Sequence, residues 1–253
     1  MQPIPQLHGK IYFASDLHLG IPDHASSLER EKRFVRWLES IRNDAHAIFI
    51  VGDLFDFWFE YKQVVPRGFV RVLGKLAELR DAGVPIYFFT GNHDQWMKNY
   101  FEEELGIPVF HQAQRIEIAG KKFLIAHGDG LGPGDHGYKF LKKLFRGKFT
   151  RWLFARLHPN FGIWIGKKWS LDNRLISGEE QSGFLGEKKE WLIQYSREVL
   201  KQEHIDYFIF GHRHIVLEYP LGENSMYYNL GDWVKYNSYA VFDGAKMSMK
   251  YFQ

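Results

Sequence analysis

Short runs of apolar, β-branched and aromatic residues recur along the chain, and each of them ends at a small or polar residue. Between several of these runs, apolar residues recur every three or four positions, which is the spacing of an amphipathic helix. Strands that alternate with helices predict an α/β layered fold. We interpret five runs as strands: Ile11–Ala14, Ala47–Val51, Pro85–Phe89, Lys122–Ala126 and Tyr207–Phe210.

Four segments have the spacing of helices. The first places Phe34 and Trp37 on one face, and Ser26 with Glu29 ahead of it has the spacing of a capping box. In the second helix, Val70 is expected to point inward. The second, third and fourth helices are predicted over residues 68–81, from near 95 to 106, and over 187–201. Short strands separated by turns follow position 215, so antiparallel β structure is expected at that end.

The composition narrows the class of protein. A content of 45% hydrophobic and 25% charged residues is ordinary for a globular protein, and without cysteine there is no disulfide or thiolate chemistry. The first residues lack the apolar run of a signal peptide, and no segment has the length of a transmembrane helix, so we expect a cytoplasmic protein. With no internal repeat or low-complexity linker, we predict one domain over residues 1–253, into which residues 135–186 are inserted.

Five polar clusters follow the predicted strands directly. A single cluster of this kind is commonly only a turn, but the carboxyl ends of strands in an open α/β sheet meet at one edge, where ligand sites lie. Their Asp, Asn and His side chains suit Mn²⁺, Fe²⁺ or Zn²⁺ better than Ca²⁺. The clusters are Asp16-Leu17-His18, Gly52-Asp53, Gly91-Asn92-His93-Asp94, His127-Gly128-Asp129 and Gly211-His212-Arg213-His214.

These clusters supply enough ligands for two divalent ions, for which we take Mn²⁺ as the first choice and Fe²⁺ or Zn²⁺ as alternatives. Two such ions about 3.5–4 Å apart can activate a water and clamp a phosphoryl oxygen. The glycines that precede Asp53, Asn92 and His212 are expected to let the chain turn sharply. One ion would take Asp16, His18 and His214, the other Asn92, His127 and His212, and Asp53 would bridge them.

The order D-x-H, G-D, G-N-H-D, a single His and G-H-x-H resembles the calcineurin-like metallophosphoesterases across residues 16–214. The resemblance implies a four-layer αββα sandwich, a dinuclear centre at the strand ends and the seven metal ligands named above. It also implies that His93 contacts phosphate or acts as a general acid, oriented by Asp94, and that Asn92 helps to stabilise charge. An imidazole beside a dication and a carboxylate is independently a reasonable general acid. The alternative is that His93 does no more than stabilise charge on the phosphoryl oxygens.

A second resemblance is narrower. Residues 52–58 read GDLFDFW, which is similar to the G-D-L-F-[DE]-x-W of UDP-2,3-diacylglucosamine pyrophosphohydrolases, and the H-G-D-x-L-x-x-x-D-x-G-Y of that family recurs over residues 127–138. It implies hydrolysis of an acylated nucleotide sugar to UMP and 2,3-diacylglucosamine 1-phosphate in lipid A biosynthesis. It also implies that Asp135 and Tyr138 shape the substrate site, although Asp135 could equally cap the next helix. The best-known branch has Arg, a phosphate clamp, in place of His93, so this chain resembles a divergent branch.

The insertion has a composition of its own. Residues 136–171 contain nine Lys or Arg and no acid, whereas the rest of the chain has 24 basic against 30 acidic residues. Its Phe and Leu residues are spaced for amphipathic helices on either side of Gly147. The apolar faces could pack on the protein itself. Alternatively, the segment is a helical lid that holds acyl chains while its cations attract an anionic membrane. Lys167, Lys168 and Arg174 are candidates for phosphate or uridine contacts.

Three functions remain open at this point. The first is the diphosphate hydrolase, located peripherally on the inner face of the cytoplasmic membrane. The second is a metal-dependent phosphodiesterase or nuclease, although nucleic acid is disfavoured because the apolar residues are in helical register and the rest of the chain is net acidic. The third is a peripheral membrane protein whose metal site is structural. The oligomeric state stays open.

Overall fold

The structure, a computed structural model, describes residues 7, 9–133, 147–177 and 183–253. Within these residues eleven strands form two sheets. They are β1 (Lys10–Ala14), β2 (Ala45–Val51), β3 (Ile86–Phe89), β4 (Val109–Phe110), β5 (Gln114–Ile118), β6 (Lys121–Ile125), β7 (Tyr207–Phe210), β8 (Val216–Pro220), β9 (Met226–Leu230), β10 (Ser238–Phe242) and β11 (Met247–Tyr251). The helices are α1 (His24–Ile41), α2 (Val70–Asp81), α3 (Tyr100–Leu105), α4 (Lys148–Phe154), α5 (Pro159–Ser177) and α6 (Trp191–Leu200).

The first sheet has the strand order β11-β10-β1-β2-β3-β4, and the second has the order β5-β6-β7-β9-β8. Strands β1 to β4 pair in parallel, and so do β6, β7 and β9, so the carboxyl ends of these strands point the same way within each sheet. The predicted antiparallel pairs near the C-terminal end are β8 with β9 and β10 with β11.

The two-residue alternation of each strand sorts its side chains into separate cores. Phe13 and Phe49 point between the sheets, where the Phe13 ring stacks on Phe123 of the opposite sheet with centroids 6.2 Å apart. Ile48 and Ile50, on the other face of β2, pack against α1 and α2. A third core joins α6 to the outer face of the second sheet. The four-layer αββα sandwich is therefore confirmed.

Three details of the helices differ from the sequence prediction. The Asp23 carboxylate caps α1 by accepting from the N–H of Ser26 at 2.9 Å, so the predicted capping box is wrong: Ser26 is the capped residue, not the cap. Val70 begins α2 and is exposed, so the prediction that it points inward is wrong. The inward face of this helix is made by Val72, Leu76 and Leu79. Helix α3 begins at Tyr100 because the Glu60 carboxylate accepts from the N–H groups at its start.

Helices α4 and α5 lie on the loop that follows β2. Phe154 at the end of α4 packs on Phe59, with centroids 4.6 Å apart, and on Trp96 at 5.2 Å. This small aromatic cluster fixes the described part of the insertion beside the strand ends. Asp135, Tyr138 and the side chain of Arg174 lie outside the described residues.

Candidate metal centre

The predicted ligands sit on loops that continue the strands. Asp16 and His18 follow β1, and Asp53 follows β2. The two loops stay paired beyond the sheet, because the N–H of Asp16 donates to the carbonyl of Gly52 and that of His18 to the carbonyl of Asp53, at 3.1 and 2.9 Å. Asn92 follows β3 in the same sheet. His127, His212 and His214 follow β6 and β7 of the second sheet, so the two sheets supply one site from both sides.

The backbone at the ligands is unusual. Five of the eight described non-glycine residues with positive φ are predicted ligands. Such left-handed conformations cost an L-residue on the order of 1–3 kcal/mol and persist where the surroundings enforce them, commonly at functional sites. The five and their φ values are Asp16 (57°), His18 (46°), Asp53 (52°), His212 (66°) and His214 (52°).

The neighbouring glycines are needed mainly for space. Gly52 has φ of +86°, as a sharp turn requires, and a Cβ there would also lie 2.5 Å from Nδ1 of His127. A Cβ on Gly91 would overlap the Asp53 carboxylate, and one on Gly211 would overlap the Asp16 carboxylate. The predicted conformational role therefore holds for Gly52, while Gly91 and Gly211 let the loops approach each other closely.

One group of ligand atoms surrounds a single point. Nε2 of His214 lies 3.2 Å from Oδ1 of Asp16 and 3.1 Å from Nε2 of His18. Nε2 of His18 lies 3.8 Å from Oδ2 of Asp53. Oδ1 of Asp16 is buried and accepts no hydrogen bond from the described residues. A buried carboxylate oxygen that faces two imidazole nitrogens suits a divalent cation, which would replace the missing partner.

The second group shares Asp53 with the first. Nε2 of His127 lies 3.1 Å from Oδ2 of Asp53 and 3.2 Å from the side-chain oxygen of Asn92. The His212 ring packs edge-on against the His127 ring, with centroids 5.2 Å apart. The other Asp53 oxygen accepts from the N–H of His93 at 2.9 Å, which turns Oδ2 toward both groups. The structure thus brings together all seven predicted ligands, with Asp53 between the two sets.

Partners on Nδ1 orient the imidazoles. His127 Nδ1 donates to the carbonyl of Val51 at 2.9 Å, so Nε2 carries the lone pair that can bind a cation. Nδ1 of His214 lies 3.5 Å from the Asp232 carboxylate, and Nδ1 of His18 lies 3.5 Å from that of Asp56. Imidazole ligands of metals are held in this way, with the second nitrogen bound to a carbonyl or a carboxylate.

Charge and burial oppose each other within the site. Burial raises the pKa of Asp53, but the imidazoles of His127 and His93 lower it more, so it stays well below its ordinary value. Burial lowers the pKa of His127, but the Asp53 and Asp16 carboxylates raise it to about 10. Burial and the adjacent His127 lower the pKa of His212 to about 3. A cation that binds His127 therefore has to displace a proton.

His93 has a different orienting group from the one predicted. Its Nδ1 lies 2.9 Å from the Asp56 carbonyl oxygen, 3.6 Å from the Asp56 carboxylate and 3.1 Å from the hydroxyl of Ser170. Asp94 instead accepts from the N–H groups of Gly91 and Leu54, at 2.7 and 3.0 Å, and so holds the loop. The residue in contact with His93 Nδ1 is therefore Asp56 and not the predicted Asp94, and the sequence pattern does not single Asp56 out.

The described part of the insertion exposes an aromatic surface. Phe149, Trp152 and Leu153 of α4 and Phe161 and Trp164 of α5 are each more than half exposed. The guanidinium of Arg156 lies 4.9 Å from the Trp152 ring, and the ammonium of Lys168 lies 5.6 Å from the Trp164 ring. None of the described helices is both long enough and apolar enough to span a membrane.

The sequence profile of the calcineurin-like phosphoesterases matches residues 9–216, and the chain belongs to this family. It is a metal-dependent hydrolase, and the converging carboxylates and imidazoles fit the divalent ions of that family.

Among individual relatives, the chain is 41% identical to the UDP-2,3-diacylglucosamine hydrolase of Porphyromonas gingivalis, over 96% of this chain and 98% of the relative. It is 27% identical to the UDP-2,3-diacylglucosamine hydrolase of Histophilus somni, over 88% of this chain and 92% of the relative. A solved structure of vacuolar protein sorting 29 from Cryptosporidium parvum superposes over 97% of this chain and 98% of its own, with a TM-score of 0.47 and 13% identity.

Proposed function

We propose that this protein hydrolyses the diphosphate of UDP-2,3-diacylglucosamine, giving UMP and 2,3-diacylglucosamine 1-phosphate in lipid A biosynthesis. The observation that carries this function is the 41% identity, along nearly the whole of both chains, to an enzyme named for that substrate. The metal centre supports it, because two adjoining cation sites suit the cleavage of a phosphoric anhydride.

In this proposal Asp16, His18 and His214 would hold one ion, Asn92, His127 and His212 would hold the other, and Asp53 would be shared between them. When bound, the ions supply an activated water and neutralise charge on the phosphoryl oxygens. We assign Mn²⁺ from the mixture of carboxylate, amide and imidazole ligands, with Fe²⁺ or Zn²⁺ as the alternatives.

His93 and Asn92 act on the diphosphate itself. Because Nδ1 of His93 faces the Asp56 carbonyl oxygen, the remaining nitrogen, Nε2, is the one that can face a phosphoryl oxygen, to which it donates when the ring carries both protons. In its protonated form the ring would supply the positive charge that an Arg would supply at this position. Asp94 keeps the loop of these two residues in place through its backbone hydrogen bonds.

The insertion, residues 135–186 of a single domain, is proposed as the lid and the membrane contact. Its exposed Trp and Phe side chains lie beside Arg and Lys, a combination that favours the interface of an anionic bilayer. Such a location, on the inner face of the cytoplasmic membrane, would bring the metal centre to a lipid-linked substrate. Asp135 and Tyr138 remain predicted substrate contacts.

A product assay with Mn²⁺ tests the function. Purified protein is given UDP-2,3-diacylglucosamine, UDP-N-acetylglucosamine and single-stranded DNA in parallel, and the products are identified by mass spectrometry. We expect UMP and 2,3-diacylglucosamine 1-phosphate from the acylated substrate, and loss of both after chelation. Equal turnover of the non-acylated sugar or of DNA would contradict the lipid assignment and favour a general phosphodiesterase.

A further inference from the structure

Helix α5 packs on the loop that follows β2 through a row of small residues. Gly162, Gly166 and Ser170 are spaced four residues apart and therefore share one face of the helix. A Cβ on Gly166 would overlap the ring of Phe57, and a Cβ on Gly162 would overlap the hydroxyl of Tyr61. The absence of side chains at these two glycines lets the helix backbone rest directly on the loop.

The third residue of the row reaches the site. The Ser170 hydroxyl donates to Oδ2 of Asp56 at 2.6 Å and lies 3.1 Å from Nδ1 of His93. Ser170 is 7% exposed and Asp56 is 2% exposed, so solvent competes little with this contact. The other Asp56 oxygen lies 3.5 Å from Nδ1 of His18, a predicted metal ligand.

We infer that Ser170 is a positioning residue that couples docking of the lid to the orientation of His93. With α5 docked, the hydroxyl holds the Asp56 carboxylate in one rotamer, and Asp56 in turn holds the imidazole. When α5 moves away, Asp56 loses a buried hydrogen bond and His93 loses its contact with the Ser170 hydroxyl. The inference rests on the proposed function, in which acyl chains contact the lid, and it makes the acylated half of the substrate a determinant of turnover as well as of binding.

The kinetic test uses Ser170→Ala, with Ser170→Thr to restore the hydroxyl and Asn160→Ala as a control on an exposed position of the same helix. We expect Ser170→Ala to lower kcat on UDP-2,3-diacylglucosamine about tenfold while KM changes little, and Thr to recover most of the loss. A rise in KM at unchanged kcat would overturn the inference, because Ser170 would then be a direct substrate contact.

A double-mutant cycle separates a role through Asp56 from an independent one. If Ser170 acts through Asp56, Asp56→Asn with Ser170→Ala should be no slower than Asp56→Asn alone. Additive losses in the two single variants would refute the coupling.

A measurement without substrate keeps the inference distinct from the proposed function. Metal-free protein with nitrogen-15 in its histidine rings should show altered His93 ring resonances in Ser170→Ala, with those of His127 unchanged. Gly166→Leu, which pushes α5 off Phe57, should alter His93 in the same direction. Unchanged His93 resonances in both variants would overturn the inference. If the resonances shift but UDP-2,3-diacylglucosamine is never hydrolysed, the coupling stands and the proposed substrate falls.

Discussion

Arg213 lies between the predicted ligands His212 and His214 in the sequence, and its side chain pairs with Glu190. Its Nε and Nη2 atoms each lie 3.0 Å from one oxygen of Glu190, a bidentate ion pair in which both side chains are at most 1% exposed. The guanidinium also lies 5.0 Å from the Trp191 ring. This pair ties the ligand loop to the start of α6.

Removing one member of such a pair leaves the other charge buried and unpaired. We therefore expect Arg213→Met to lower the free energy of unfolding by about 3–5 kcal/mol, and Glu190→Leu to do the same. Removing both members should cost much less than the sum, because the attraction within a buried pair is largely offset by the desolvation of its two charges. The double variant separates the net contribution of the ion pair to the free energy of unfolding from the penalty of leaving one buried charge unpaired.

Urea unfolding followed by tryptophan fluorescence and circular dichroism gives the three free energies. Metal titration by calorimetry shows whether loss of the ion pair displaces His212 and His214. The affinity for the metal should fall in Arg213→Met and recover in the double variant. Single losses below about 1 kcal/mol, or losses that add in the double variant, would refute the reasoning from burial.

Three further outcomes follow from the described contacts. Gly91→Ala should lose bound metal in elemental analysis because its Cβ displaces the Asp53 carboxylate; full metal content would contradict this. Gly74→Ala, in α2 with open space around it, should instead raise the free energy of unfolding by about 0.5–1 kcal/mol in urea. Replacing Trp152 and Trp164 with Ser should weaken binding to anionic vesicles about tenfold in a sedimentation assay, without changing kcat on detergent-dispersed substrate; unchanged vesicle binding would exclude this surface as the membrane contact.

The convergence of the seven predicted ligands could be foreseen because each follows a strand, and parallel strands bring their carboxyl ends to one edge. The orienting role of Asp56 could not, since nothing in the GDLFDFW run separates a residue that faces His93 from one that packs in the core. Adjacency in sequence to His93 does not give Asp94 a contact with the His93 ring, because the Asp94 side chain turns back to the loop backbone. The start of α2 also differs from the prediction, because Phe69 adopts the left-handed conformation and the helix begins at Val70, two residues later than predicted.

Residues 53–60, which follow β2, have several structural roles at once. Asp53 lies between the two groups of predicted ligands, and Asp56 contacts His93. Phe57 and Phe59 form the platform against which the described part of the insertion packs, and the Glu60 carboxylate accepts from the N–H groups at the start of α3. Evolution cannot easily change substrate preference in this protein by altering that segment, because a substitution that reshapes the platform also disturbs a neighbour in the catalytic machinery. Diversity among related enzymes should therefore accumulate on the outward faces of α4 and α5. An engineer who transplants α4 and α5 into another scaffold has to move residues 53–60 with them.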